Sequence, residues 1–241
     1  MALPEAQIAE LSTVRELLEA MRQADAGEAV DPRAVLADPL AWLEPGEQRW
    51  LRAPPAYLRP LGWLVYGLSW LTMRTYFRLQ VSGRESLPEY GPMVFAPNHA
   101  SLLDPVVLSV ALGRRRLQRT RWAGWVGMMF RNPLMRLLSR VARVLPIDPV
   151  HGVRASLALA AATLRSGDNL VWFPEGERSR DGRLLPIRPG IGRVLEGFDL
   201  PVVPVIIEGA WESLPVGARW PRPRPLRVSF GAPVSLSLLH L

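Results

Sequence analysis

His99 and Asp104 stand five positions apart in the stretch Asn98-His99-Ala100-Ser101-Leu102-Leu103-Asp104, directly after an apolar run at 93–96. On one regular helix five positions turn through about 500°, which would aim the two side chains apart. A strand at 93–96 and a helix at 103–112 place His99 in the connecting turn and Asp104 in the first helical turn, within reach of the imidazole. That is a base with a carboxylate to orient it, suited to taking a proton from a hydroxyl. His99 is the credible base, because His151 follows Pro149 in an expected loop and His240 adjoins the end of the chain. Ser101 lacks a Gly-x-Ser-x-Gly elbow and reads as a turn serine bonded to backbone.

Two further islands follow in order: Phe173-Pro174-Glu175-Gly176-Glu177-Arg178-Ser179 after a strand-like segment, and Val203-Pro204-Val205-Ile206 inside another apolar run. Together with the first they resemble the glycerolipid acyltransferase family (1-acylglycerol-3-phosphate acyltransferase-like, PlsC-like) over about residues 77–234. Its motifs read Asn-His-x-Ser-x-x-Asp, Phe-Pro-Glu-Gly-Thr-Arg-Ser and Val-Pro-Val. The resemblance implies a membrane-associated O-acyltransferase that moves a fatty acyl group from acyl-CoA or acyl-ACP, as co-substrate, to a lysophospholipid or related lipid alcohol. His99 would be the general base and Asp104 its orienter, with no bound cofactor and no metal. Glu175, Gly176 and Arg178 would form the acceptor site, and Arg188 and Gly190, before a helix, would favour an anion. Asn98, Ser101 and Arg154 are secondary candidates.

The chain departs from the family in two places. Glu177 replaces the usual threonine and would oppose a bound phosphate unless it points away or pairs with an arginine. In Arg143-Val144-Leu145-Pro146-Ile147-Asp148-Pro149, Pro149 stands where relatives carry an arginine that resembles a phosphate ligand; Arg154 is the nearest substitute. Three other readings use the same residues. One is a catalytically silent lipid-binding or membrane-docking module, one an acyl-thioesterase with water as acceptor, and one a metal site of His99, Asp104 and Glu175.

The chain has 241 residues, enough for one substantial core, and no cysteine, which excludes thiol nucleophiles, disulfides and thiolate metal sites. Its formal charge of +7 comes wholly from arginine. Residues 1–47 hold ten acids and three arginines, and the remainder twelve acids and twenty-six arginines. A guanidinium-rich surface fits phosphorylated ligands or an anionic membrane. Nucleic acid is not an expected partner, since no helix-turn-helix, zinc spacing or aromatic RNA-binding signature is present. The expected partners are membrane lipids, the lipid acceptor and acyl carrier protein.

The elements that must hold these residues alternate from residue 78 on. Strands are expected at 78–82, 93–96, 120–123, 143–147, 169–173, 202–207 and 226–230, and helices at 103–112, 133–141, 152–166 and 189–196. The fold class is α/β, a mostly parallel central sheet flanked by helices, with an N-terminal helical appendage. Three units are expected. Residues 1–50 form an acidic appendage, with a helix at 8–22 and mainly linker over 26–55, in which Ala41-Trp42-Leu43 and Trp50-Leu51 are apolar enough to dock; 51–77 form an amphipathic helix; 78–241 form the acyltransferase domain. In the second unit Trp63, Tyr66, Trp70, Met73 and Phe77 share a face suited either to the membrane interface or to packing over the core. Its uncharged stretch of fourteen residues falls short of the roughly 20 that span a bilayer. With an acidic N-terminus lacking a hydrophobic signal segment, the expected location is the cytoplasmic face of the cell membrane, peripheral or monotopic.

Overall fold

The computed structural model describes residues 32–235, apart from 90, 150, 151 and 189. The helix expected at 8–22 lies outside the described residues, as do His151, Pro189 and His240. Seven strands form one sheet: β1 (Gln80–Ser82), β2 (Val94–Pro97), β3 (Thr120–Trp125), β4 (Val144–Ile147), β5 (Asn169–Val171), β6 (Val202–Glu208) and β7 (Arg227–Phe230). Their order is β1-β7-β6-β2-β5-β3-β4, and every neighbouring pair is parallel except β6 and β7. All seven coincide with segments expected from short apolar runs; β2, β3 and β6 run one or two residues beyond the expected ends.

Alternation along each strand divides the core into two layers. Val94, Leu145, Leu170 and Val202 face one cluster, while Phe95, Val144, Val171 and Val203 face the other. The first layer is covered by α7 (Val153–Arg165), whose residues from Ser156 to Leu164 are all buried. The second is covered by α3 (Arg59–Thr75) and α4 (Asp104–Leu117). Helical geometry in α4 breaks at Gly113, with φ 73°.

Proline in the middle of a sheet costs a ladder hydrogen bond, and its position in β6 limits that cost. β6 is an interior strand, but Pro204 faces Gly231 just beyond the end of β7, where its carbonyl still accepts from the Gly231 N–H at 2.8 Å, so proline forfeits only the reciprocal rung at the end of that ladder.

Residues 32–51, expected as appendage and linker, instead fold into α1 (Pro32–Ala37), α2 (Pro45–Gln48) and short 3-10 turns against α7. The reason lies in α7, which is apolar on its far side as well and requires cover. Val35, Leu36, Leu43 and Trp50 provide it. Each such buried side chain is worth about 1.5–3 kcal/mol. Arginines fix the strap: Arg121 donates to the Trp50 carbonyl at 2.7 Å and to that of Leu51, and Arg140 donates to the carbonyls of Arg49, Arg52 and Ala53. Arg121 is 4% exposed and paired with Asp168 at 3.0 Å, so it belongs to the interior and not to a basic surface cluster. Burial and the neighbouring Arg143 lower its pKa to about 10, still charged at neutral pH.

Three helices make an apolar surface. α3 meets α6 (Pro133–Val141), with Gly62 against Val141, and α5 (Val126–Met129) packs beside α6. The stripe expected on α3 is split: Met73 and Phe77 enter the core, whereas Trp63, Leu64, Leu68, Trp70 and Leu71 stay exposed, together with Leu134 and Leu137 of α6. Arg114 lies 4.0 Å over the Trp63 ring.

Candidate active site

β2 and β5 are parallel neighbours about 4.8 Å apart, so the loops that follow them emerge side by side at the carboxyl edge of the sheet. Asn98 fixes the first loop. Its side chain accepts from the Ile207 N–H at 2.7 Å and donates to the Ile207 carbonyl at 3.0 Å, extending the β2–β6 ladder by one side-chain rung. Ser101 is fully buried; its hydroxyl donates to the Leu214 carbonyl at 2.8 Å and accepts from Leu103. Neither residue offers a free group to a ligand.

The turn between β2 and α4 wraps around one carboxylate oxygen. Asp104 Oδ2 accepts from His99 Nδ1 at 2.8 Å and from the N–H groups of Ala100 and Ser101, each at 2.7 Å. A carboxylate at that position makes Nδ1 the protonated nitrogen and leaves Nε2 to accept a proton. Among the described residues Nε2 has no partner. Asp104 is fully buried and the His99 side chain retains 16% of its surface, so the base reaches solvent while its orienter does not.

Phe173 stacks on the imidazole, with ring centroids 4.1 Å apart and a tilt of 31°. Beyond it Glu175 bridges two loops. One oxygen accepts from the His99 N–H at 2.6 Å, and the other from the Leu185 N–H at 2.8 Å. Glu175 is 1% exposed. Burial raises its pKa to about 7, with a further push from Asp104, against the lowering effect of the two N–H groups. Placed in the acceptor site by family resemblance, this carboxyl is in fact enclosed and spent on backbone.

Arg188, expected to favour an anion, is paired with Glu177 at 2.6 Å, which also removes the repulsion that Glu177 threatened. Gly176, at φ 72°, permits this: a Cβ there would lie 2.8 Å from Arg188 Cδ. Gly190 opens α8 (Gly190–Leu195) and packs close to Trp172. Arg178, by contrast, has no hydrogen bond or ion pair among the described residues. It precedes Ser179, whose N–H donates to the His99 carbonyl at 2.8 Å. Arg154 is exposed in the first turn of α7, beyond β4. Among the described residues no group of three acidic, histidine or cysteine side chains converges as a metal site.

Phe173, Leu185 and Asp181 were not singled out by sequence reasoning. Asp181 organises the loop by accepting from Ser179 Oγ and the Arg183 N–H. The Ser-x-Asp-Gly signature at 179–182 is the turn signal that could have revealed it.

An α/β domain with a His-Asp pair at the carboxyl edge of a parallel sheet defines the class. The Acyltransferase family model matches residues 78–208, and this chain belongs to that family. Among curated proteins, the chloroplastic 1-acyl-sn-glycerol-3-phosphate acyltransferase BAT2 of Brassica napus is 30% identical over 156 residues, 61% of this chain and 42% of that protein. The 1-acyl-sn-glycerol-3-phosphate acyltransferase of Limnanthes douglasii is 32% identical over 146 residues, 59% of this chain and 50% of that protein. The chain thus spans about half the length of these relatives. The crystal structure of the 1-acyl-sn-glycerophosphate acyltransferase PlsC from Thermotoga maritima shares the fold, with a TM-score of 0.56 at 19% identity, covering 94% of this chain and 89% of that one.

Proposed function

We propose that this protein is an O-acyltransferase that moves a fatty acyl group from the thioester of coenzyme A or acyl carrier protein to the hydroxyl of a lysophospholipid or related lipid alcohol. The observation that carries the reading is the His99–Asp104 pair, 2.8 Å apart with Nε2 left unpartnered. Nε2 takes the acceptor's hydroxyl proton as the oxygen attacks the thioester carbon. The tetrahedral intermediate then collapses with cleavage of the carbon–sulfur bond, and the imidazolium returns the proton to the departing thiolate. Asp104 holds the tautomer and faces the imidazolium while it exists. Glu175 and Phe173 hold His99 in place, and the unpaired Arg178 is the acceptor-phosphate candidate nearest the His99 loop. No bound cofactor or metal enters this reaction.

Attachment to the membrane is part of the proposal. Among the described residues no helix is long and apolar enough to cross a bilayer. Trp63, Leu64, Leu68 and Leu71 of α3, with Leu134 and Leu137 of α6, offer an exposed apolar face for interfacial docking. The test is thiol release from a long-chain acyl-CoA, and separately from acyl-ACP, with and without a panel of lysolipids. Release should depend on acceptor and fall by about 10²–10⁴ in His99→Ala. Release without acceptor would point to a thioesterase, and none from either donor to a silent lipid-binding module.

A further inference from the structure

A second polar feature lies away from His99, where the C-terminal end of α3 crosses β1 and the middle of α4. Here a cavity of about 200 Å³ is lined by Trp70, Arg74, Leu79, Val81, Arg84, Val110 and Ala111. Val110 lies six residues beyond Asp104, about 9 Å along the helix. β1 is three places from β2 in the sheet, so the cavity and the base occupy different parts of the molecule.

The two arginines are uncompensated. Among the described residues neither has a hydrogen bond or ion pair, although a surface arginine readily finds a carboxylate. Arg84 stands instead beside another cation, Arg116. Burial and then the charge of Arg84 hold the pKa of Arg116 below its usual value. Arg116 has already committed its guanidinium to the carbonyls of Leu87 and Pro88, leaving Arg84 as the open group. Arg84 is exposed, and its guanidinium lies against Gly113 at the break in α4, 2.7 Å from where a Cβ would stand, so the glycine makes room for it. An unpaired guanidinium beside Gly113, near a second one a helical turn from an exposed tryptophan, suits a phosphate.

The position of the cavity identifies where that phosphate comes from. Trp70 belongs to the exposed apolar face of α3, which also carries Leu64, Leu68 and Leu71. A phosphate attached to acyl chains would place its head between Arg74 and Arg84 and its upper methylenes against Trp70 and Val110. At about 200 Å³ the cavity takes a headgroup and leaves the chains in the bilayer. We propose that this cavity is a binding site for the phosphate headgroup of an anionic membrane phospholipid, separate from the catalytic pair, which holds the docked protein by its α3 end. The proposal rests on the docking face described under the proposed function.

Vesicle cosedimentation of the full chain tests it, using phosphatidylcholine alone and phosphatidylcholine with a minority of phosphatidylglycerol. Arg74→Gln/Arg84→Gln is compared with Arg59→Gln/Arg115→Gln, an equal loss of charge at exposed positions outside the cavity. The added phosphatidylglycerol should tighten binding of the native protein, and the cavity variant should lose about thirtyfold of that gain. The control pair should lose at most about threefold. Both variants should bind plain phosphatidylcholine and melt as the native protein does. Equal losses in the two variants would reduce the effect to general surface charge and overturn the site. Binding that ignores phosphatidylglycerol overturns the site and leaves the docking face standing; binding to neither vesicle overturns both. If inorganic phosphate raises the melting temperature of the native protein but not of the cavity variant, and the cavity variant gains as much from phosphatidylglycerol as the native protein does, the occupant is free phosphate and the lipid assignment falls.

Discussion

Replacing Glu175 by glutamine separates the two jobs of this carboxyl, which accepts two backbone N–H groups and carries a buried charge. Its pKa is pushed up to about 7 by burial, from 4.5 in an exposed chain. Between those two values the folded protein keeps a proton that the unfolded chain has released. The native protein's stability therefore declines as pH rises through that window and is unaffected by this group outside it. A separation that wide is worth about 3 kcal/mol across the window. Glutamine cannot ionise and escapes the decline, but its amide must turn an NH₂ toward either the His99 or the Leu185 N–H. Donor against donor in a closed site costs about 1–3 kcal/mol. Glu175→Gln should thus be the less stable protein near pH 5, and the difference should shrink by about 3 kcal/mol and close or reverse by about pH 8. Urea unfolding of both proteins at several pH values measures it. Parallel stability profiles would refute the reasoning, because they would mean that the carboxyl titrates in the fold as it does in water. A native protein that gains on the variant as pH rises would refute it more strongly.

Asp104→Asn should keep the turn, since an amide oxygen can still accept from Ala100 and Ser101, but lower kcat by about 10²–10⁴ through loss of the charge facing the imidazolium. Steady-state rates with circular dichroism as the fold control decide it. Arg121→Leu strips the Trp50 and Leu51 carbonyls of their donor and should cost about 3 kcal/mol in urea unfolding, with early proteolytic cleavage within residues 45–55. Pro149→Arg restores a guanidinium beyond β4, about 14 Å across the sheet from β2, and should raise kcat/KM for phosphate-bearing acceptors over neutral ones. An unchanged ratio would remove Pro149 as the reason for any altered acceptor preference.

The sheet was legible because its strands are short apolar runs between helical segments, and a buried parallel strand needs nothing more local than that. His99 and Asp104 were legible as a pair because the turn that joins them is itself local. What escaped depends on contacts distant in sequence. The proline- and acid-rich composition of 32–51 reads mainly as linker; its apolar points at 41–43 and 50–51 were legible as able to dock, but the far side of α7 that receives Leu43 and Trp50 was not. Arg121 looks like one more basic surface residue until Asp168, forty-seven positions away, and the Trp50 carbonyl are brought to it. Glu175 was read as part of the acceptor site, but a carboxyl in a motif does not reveal whether its oxygens face a ligand or, as here, two backbone N–H groups. An arginine partner for Glu177 was one of the outcomes the sequence allowed, but Arg188 was not identified as that partner, since a loop of eleven positions had to close before the charges met.

The strap over α7 gives homology and cooperativity different boundaries in this molecule. The family match begins at residue 78, and a fragment cut there would retain every residue assigned to the reaction. It would also lose Val35, Leu36, Leu43, Trp50, Met73 and Phe77, all buried, exposing one side of α7 and unroofing the second core layer. The part of the chain that inheritance marks as the enzyme is smaller than the part that must fold together. A transplanted or minimised version has to carry the strap and α3 with it, or be given new side chains to close both surfaces.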